Sequence, residues 1–246
     1  MEFRVIGSGS SGNCYLLTNG QESLVIEAGL PFGEVKKYVK DLRKIKGCIT
    51  THEHKDHCKY VKDYVDSGIV TVMTKAVTKQ FEYKHFVKVW GTNTIYWKFG
   101  NFTVRIIPVN HDVECYGFYI CHPEMGDMIF LTDTEYCKYT FPKVNHIMVE
   151  ANYSQKIIDD NVATGDIPES LRNRIMKSHM SYDTARRLVE ANKSDSLYNV
   201  CLLHLSGHNS DRKAFREDMQ GVVSDTMCQV HIAEPGTVIT VNKAPF

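Results

Sequence analysis

The chain alternates short apolar runs with polar turns, and the spacing of the apolar positions switches between strand and helix character. Phe3-Arg4-Val5-Ile6 reads as a strand. A loop of small residues follows, Gly7-Ser8-Gly9-Ser10-Ser11-Gly12-Asn13, and 14–18 and 24–26 return as strands. Asn19-Gly20 between them reads as a hairpin turn, because both residues tolerate positive φ. Over 33–44, Val35, Tyr38, Val39 and Leu42 take the spacing of an amphipathic helix. A strand over 45–50 comes next, then helical spacing at Tyr60, Val61, Tyr64 and Val65, a strand over 69–74 and a short helix over 75–81. The middle is strand-rich: 85–90, 94–99, 102–109, 116–121, 128–131 and 147–149. Helical pattern returns over 155–161, 169–177 and 182–191, where Ala185, Leu188 and Val189 share a face and Ser181 caps the start. A strand over 200–203, a helix over 211–223 and strands over 230–233 and 238–241 finish the chain. No repeat or low-complexity linker divides this order, so it predicts one α/β domain over 1–246, with two mixed sheets inside and helices on both outer faces.

The strand over 45–50 runs into Thr51-His52-Glu53-His54-Lys55-Asp56-His57. Three imidazoles and a carboxylate in six positions form a ligand set for zinc, manganese or iron. The cluster lies in a strand-to-helix loop, and ligands collect at the carboxyl ends of strands in α/β proteins. Three further strand ends carry ligand types: His111 after 104–109, Asp133 after 128–132 and His204 after 200–203.

His-x-His-x-Asp-His after a strand resembles the signature of the metallo-β-lactamase superfamily. The resemblance implies an αββα four-layer sandwich and a hydrolase with two divalent metal ions, zinc or manganese. In it, His52, His54 and His111 would hold one metal, Asp56, His57 and His204 the other, and Asp133 would bridge them. A hydroxide activated by both metals would attack the substrate, with Asp56 counted among the catalytic groups. Glu27, in Glu27-Ala28-Gly29, stands where the superfamily has Asp and would support the metal loop from behind. Ser178-His179-Met180-Ser181, followed by a helix and the strand ending in His204, is similar to ribonuclease Z-like phosphodiesterases. That likeness implies that His179 protonates the departing alkoxide. The stretches Gly7 to Cys14, Glu150-Ala151-Asn152-Tyr153 and Leu203-His204-Leu205-Ser206 together resemble the YycJ/WalJ branch, which is associated with nuclease-type phosphodiester hydrolysis. Ser10, Ser11 and Asn13 in the Gly/Ser loop, with Asn152 and Asn209, are the substrate contacts expected on this basis.

Composition narrows the picture. Formal net charge is +0, which excludes a global basic field for nucleic acid and leaves room for a local basic rim. No apolar run approaches the roughly 20 residues of a membrane span, and the first residues lack a signal-peptide pattern. The 8 cysteines are scattered without a Cys-x-x-Cys pair, as expected for reduced thiols in a cytoplasmic protein. The leading expectation is a phosphodiesterase acting on DNA or RNA. The alternative is a small cyclic nucleotide, the substrate of phage anti-Pycsar enzymes in the same superfamily. Thioester hydrolysis of the glyoxalase II kind fits less well, because this chain ends in strands where that enzyme has a helical region. The oligomeric state is left open by the sequence, with a homodimer among the options because small-substrate members of the superfamily often dimerise.

Overall fold

A computed structural model describes residues 1–82, 85–91 and 96–244. In chain order the strands are β1 (Glu2–Gly7), β2 (Cys14–Thr18), β3 (Ser23–Ile26), β4 (Ile45–Ile49), β5 (Thr71–Met73), β6 (Val87–Val89), β7 (Trp97–Phe99), β8 (Phe102–Pro108), β9 (Tyr116–His122), β10 (Gly126–Leu131), β11 (His146–Glu150), β12 (Asn199–Leu203), β13 (Gln229–Ile232) and β14 (Val238–Thr240). The helices are α1 (Phe32–Lys36), α2 (Lys55–Cys58), α3 (Val61–Asp66), α4 (Lys75–Thr78), α5 (Gln155–Thr164), α6 (Glu169–Ser178), α7 (Tyr182–Asn192) and α8 (Arg212–Val222). One sheet has the order β14-β1-β2-β3-β4-β5-β6 and the other β13-β12-β11-β10-β9-β8-β7. Both are mixed. The first is antiparallel up to β3 and parallel from β3 to β6. The second is parallel from β10 to β13 and antiparallel from β7 to β10.

Strand periodicity sets the layers. Successive side chains point to opposite faces, so each fully buried strand feeds two cores. Tyr15 and Leu17 of β2, Phe130 of β10 and Cys201 and Leu203 of β12 lie between the sheets. Their neighbours Cys14 and Leu16 face outward to Val35, Val61 and Tyr64 from the helices of the first half. Ile129, Leu131, Val200 and Leu202 face outward to Ala185, Val189, Phe215 and Met219 of α7 and α8. This is the four-layer αββα sandwich expected from the sequence.

Three local expectations change. The helix expected over 33–44 stops at Lys36. The Tyr38 amide tightens onto the Val35 carbonyl at 3.0 Å, and the Asp41 carboxylate accepts from the Arg43 amide to start a separate 3₁₀ turn over 42–44. A short Asp side chain competes with the helix for backbone amides in this way. The Asn19-Gly20 turn is a four-residue loop closing on Thr18 and Ser23. There the Asn19 Oδ1 accepts from the amides of Gln21 and Glu22, and only Gly20 of the pair takes positive φ. Of the strand expected over 94–99, positions 94 and 95 lie outside the described residues, and Trp97–Phe99 is the strand.

His146 opens β11 at the end of the sheets remote from the ligand-bearing strand ends. Its Nε2 donates to the Met125 carbonyl at 3.1 Å and its Nδ1 accepts from Asn199 at 3.0 Å. Burial pushes its imidazole down from 6.5 to about 4. The folded protein therefore holds His146 neutral where the unfolded chain would protonate it. Its contribution is complete above pH 6.5 and is lost as pH falls toward 4, up to about 3 kcal/mol in all. Thermal melts across that interval will show acid destabilisation that is shallower in His146→Gln. An identical pH slope in the variant would contradict this.

Candidate metal centre

Strand direction gathers the site. β3 and β4 are parallel, so Glu27 and the 52–57 loop leave the first sheet at one edge. β10, β11 and β12 are parallel to one another. β8 shares their direction, because both it and β10 are antiparallel to β9. His111, Asp133, Glu150 and His204 therefore leave the second sheet at one edge. Among the described residues, three of the four non-glycine residues with positive φ stand at these exits: Glu27 at 68°, Asp133 at 49° and His204 at 51°. Such a backbone costs on the order of 1–3 kcal/mol and is kept where the surroundings enforce it, often at functional sites.

The 52–57 loop is strapped down by main-chain bonds. Asn13 N donates to Asp56 O at 2.7 Å, Ala28 N to His57 O at 2.8 Å and Gly29 N to Asn13 O at 2.9 Å. Behind it, the Glu27 carboxylate is fully buried, takes the Thr51 amide at 3.3 Å and lies 3.4 Å from His57 Nδ1. Burial lifts this carboxyl above the usual range against the pull of His57.

Among the described residues the ligand atoms form three groups, each within 4.8 Å, of which the second and third share Asp133 and His204. His52, His54 and His111 make the first. His111 Nδ1 donates to the Ser178 carbonyl at 2.9 Å, which leaves the Nε2 lone pair facing His54 at 3.3 Å. Asp56, His57, Asp133 and His204 make the second. His57 Nε2 contacts Asp133 and stands 3.3 Å from Asp56, whose carboxylate also lies 3.5 Å from His204 Nε2. Asp133, Glu150, His179 and His204 make the third. Asp133 also lies 3.7 Å from His52 Nε2, so it connects the groups.

The electrostatics are those of a cation site. His52 Nε2 and His204 Nε2 are buried and make no hydrogen bond among the described residues. A buried polar atom left this way costs about 1–3 kcal/mol. Burial, with the nearby His57 charge, pushes His52 well below the usual imidazole range and leaves a free lone pair. Burial acts downward on His57, His204 and His179 too, but there the carboxylates prevail. Asp133 and Glu27 hold His57 well above its usual range, Asp133, Asp56 and Glu150 raise His204 to about 9, and Glu150 and Asp133 raise His179 to about 10. Imidazolium protons thus balance the buried carboxylates in the metal-free protein, and a divalent ion displaces such protons on binding. Convergent imidazole nitrogens and carboxylate oxygens, some without a partner, fit zinc, manganese or iron.

The seven expected ligands therefore lie together. His179 joins them through Asp133 Oδ1 at 3.1 Å. The expected substrate contacts divide. Ser10 and Ser11 are exposed. Asn13 is buried, with its amide 3.4 Å from the Asp56 carboxylate and 3.0 Å from His57 Nε2. Asn152 is buried and donates to the His204 carbonyl at 2.9 Å. Asn209 is buried and accepts from Asn161 at 2.8 Å. These three amides hold the protein together instead of facing outward. Three participants escaped the sequence reading. Glu150, fully buried, accepts from His179 at 2.7 Å and from the amides of Thr134 and Met180. Its place at the end of an apolar strand was the available signal. Ser8 accepts from the His204 amide at 2.9 Å. Asp112 lies 3.1 Å from His111 Nε2 and 3.4 Å from His54 Nε2 at the lip.

Comparison with known proteins agrees with this geometry. Residues 7–114 match the family described as Metallo-beta-lactamase superfamily. The chain is 23% identical over 248 residues to Exodeoxyribonuclease YycJ of Bacillus anthracis, covering 92% of this chain and 90% of that protein. It is 24% identical over 231 residues to Exodeoxyribonuclease WalJ of Streptococcus pneumoniae serotype 2, covering 85% and 83%. The metallo-β-lactamase fold protein YhfI from Bacillus subtilis superposes with a TM-score of 0.70 at 20% identity, covering 97% of this chain and 99% of that one. The fold is the metallo-β-lactamase fold, and the first half of the chain matches the model of that superfamily. Among the described residues no helix is long and apolar enough to cross a membrane.

Gly29 is the point where the metal loop touches β3. A Cβ there would lie 1.8 Å from the Asp56 carbonyl and 2.6 Å from the Asn13 amide, both backbone. Gly29→Ala must displace Asp56 and will lower metal occupancy, measured by elemental analysis after dialysis. Gly33→Ala, into open space, will not. Wild-type occupancy in Gly29→Ala would show that the strap does not hold the ligands.

Proposed function

We propose that this metallo-β-lactamase-fold hydrolase is a nuclease that cleaves phosphodiester bonds of DNA or RNA with two divalent metal ions, zinc or manganese. The observation that carries the reading is the His179–Glu150 pair set against Asp133 at the edge of the metal groups. The similarity to two exodeoxyribonucleases over most of the chain supports it. His52, His54 and His111 would hold one ion and Asp56, His57 and His204 the other, with Asp133 placed between the two sets. Bound there, the ions supply Lewis acidity to phosphoryl oxygens and make water more acidic.

The chain's own groups then divide the remaining work. Glu150 Oε1 fixes the Nδ1–H tautomer of His179 at 2.7 Å, which turns Nε2 toward the open side. The His179 side chain keeps 22% of its surface exposed where Glu150 keeps none, so it can reach a substrate. Held protonated by the two carboxylates, it delivers a proton from Nε2 to the departing alkoxide, a role worth about 10²–10⁴-fold. Burial alone would raise Asp56, but His204 and His57 hold its carboxyl far below the usual range, so it stays ionised. Asn152 and Ser8 fix the backbone of His204 from opposite sides, through its carbonyl and its amide.

Leaving-group dependence tests the assignment. Metal-loaded wild type will hydrolyse single-stranded DNA or RNA and bis(p-nitrophenyl) phosphate. His179→Ala, at unchanged metal content, will lose about 10²–10⁴-fold on the nucleic acid and much less on the nitrophenyl ester, whose leaving group needs no proton. Equal losses on both substrates would remove the proton from His179. Turnover of 3′,5′-cyclic nucleotides alone would move the substrate to small nucleotides. Turnover of S-lactoylglutathione alone would overturn the phosphodiesterase reading.

A further inference from the structure

The segment that follows Asp133 is Thr134-Glu135-Tyr136-Cys137-Lys138-Tyr139-Thr140-Phe141. It alternates aromatic with basic or small residues and has no regular secondary structure. Both of its ends are pinned. At the near end Thr134 N donates to Glu150 at 3.2 Å, and Thr134 Oγ1 accepts from Asn110 N at 3.2 Å and donates to Tyr136 O at 2.9 Å. Asn110 precedes His111, so this end is tied to the first ligand group. At the far end Phe141 N donates to Asn192, and the Phe141 ring stacks on Tyr119 with centroids 6.1 Å apart. Between the pins, Tyr136 is 48% exposed and Tyr139 39%. Two of the large exposed apolar side chains thus project from a fixed loop beside the metal groups.

The cations around these rings are free of ion pairs among the described residues. Lys138 lies over the Tyr139 ring at 5.3 Å. Lys138, Arg105 on β8 and Arg187 on α7 are exposed, and none has an ion-pair partner among the described residues. An open groove of about 480 Å³ lies between the loop and β8, lined by Arg105, Ile107, Pro108, Tyr119, Tyr139 and Phe141. β8 ends at Pro108, three residues before His111, and the loop begins at Asp133, so both walls of the groove lead in sequence to ligand residues. The one acidic side chain of the loop, Glu135, is occupied by the Asn110 amide at 3.0 Å.

We infer that Tyr136 and Tyr139 form a base-stacking platform that, with Lys138, Arg105 and Arg187 on the phosphates, guides a single-stranded nucleic acid along this groove to the metal centre. The inference rests on the phosphodiesterase reading above and adds the strandedness of the substrate. Exposed aromatic faces interleaved with free cations are what unpaired bases and their backbone require. Stacking of this kind is indifferent to sequence. A duplex keeps its base faces covered and gains nothing from the rings.

Metal-loaded wild type, Tyr136→Ala, Tyr139→Ala and Tyr139→Phe are compared on a fluorescein-labelled single-stranded oligodeoxynucleotide, its duplex and bis(p-nitrophenyl) phosphate. Each Ala variant is expected to raise KM for the single strand about 5- to 10-fold, the lower part of the range for stacking on one aromatic ring. Tyr139→Phe restores the wild-type value, and turnover of the nitrophenyl ester stays unchanged throughout. Fluorescence anisotropy of the oligonucleotide, which needs no turnover, separates the two layers. Tyrosine-dependent binding without any hydrolysis would overturn the nuclease reading and leave the platform standing. Hydrolysis with unchanged KM and unchanged anisotropy in both Ala variants would overturn the platform alone. An equal loss on the duplex would overturn its preference for single strands.

Discussion

The constraint on which the structure turns is the burial of imidazoles and carboxylates without enough partners to satisfy them. His52, His57, Asp133, Glu150 and His204 are almost wholly out of water, and His52 Nε2 and His204 Nε2 meet no hydrogen-bond partner among the described residues. A core that carries such groups is stable only if cations balance it. Protons on His57, His179 and His204 provide part of the balance, and the donor set is one that divalent ions would complete. The surrounding architecture holds this arrangement in place: the main-chain bonds that strap the 52–57 loop to β2 and β3, the strained exits at Glu27, Asp133 and His204, and the amides of Asn13 and Asn152 turned inward.

Much of this is legible in the sequence, for a physical reason. Apolar runs define strands, and a ligand type immediately after each run marks the place where a strand leaves the core. His111, Asp133 and His204 are visible in that way, and the His-x-His-x-Asp-His loop needs only its spacing. Layering is legible too, since continuous apolar strands such as 200–203 demand cover on both faces. What escapes depends on contacts between distant elements. Glu150 looks like a polar residue ending β11 until His179 and His204 are brought against it, 29 and 54 positions away. The bonds of Asn152 to His204 and of Asn209 to Asn161 likewise join distant elements and leave no trace in the spacing. The helix expected over 33–44 fails because Asp41 captures a backbone amide, an event that apolar spacing does not record.

Outside the centre, the surface divides its labour. The net charge is +0, so a polyanion would find no global attraction. Beside the 134–141 loop, Arg105, Lys138 and Arg187 accompany the exposed tyrosines Tyr136 and Tyr139. The same loop begins at Asp133, so the exposed tyrosines and that carboxylate are parts of one continuous, pinned segment. A strand lying on the proposed platform would be positioned by the backbone that also sets Asp133.

The most direct test of this account is calorimetric titration of the metal-stripped protein with zinc and with manganese, followed by thermal melts of each form. The account predicts two ions bound per chain, protons released on binding, and a melting temperature that rises with free metal concentration, as expected for a ligand that binds only the folded state. Failure to bind either ion, or binding that leaves the melting temperature unmoved, would show that the buried cluster is balanced by its own protons and is no metal centre.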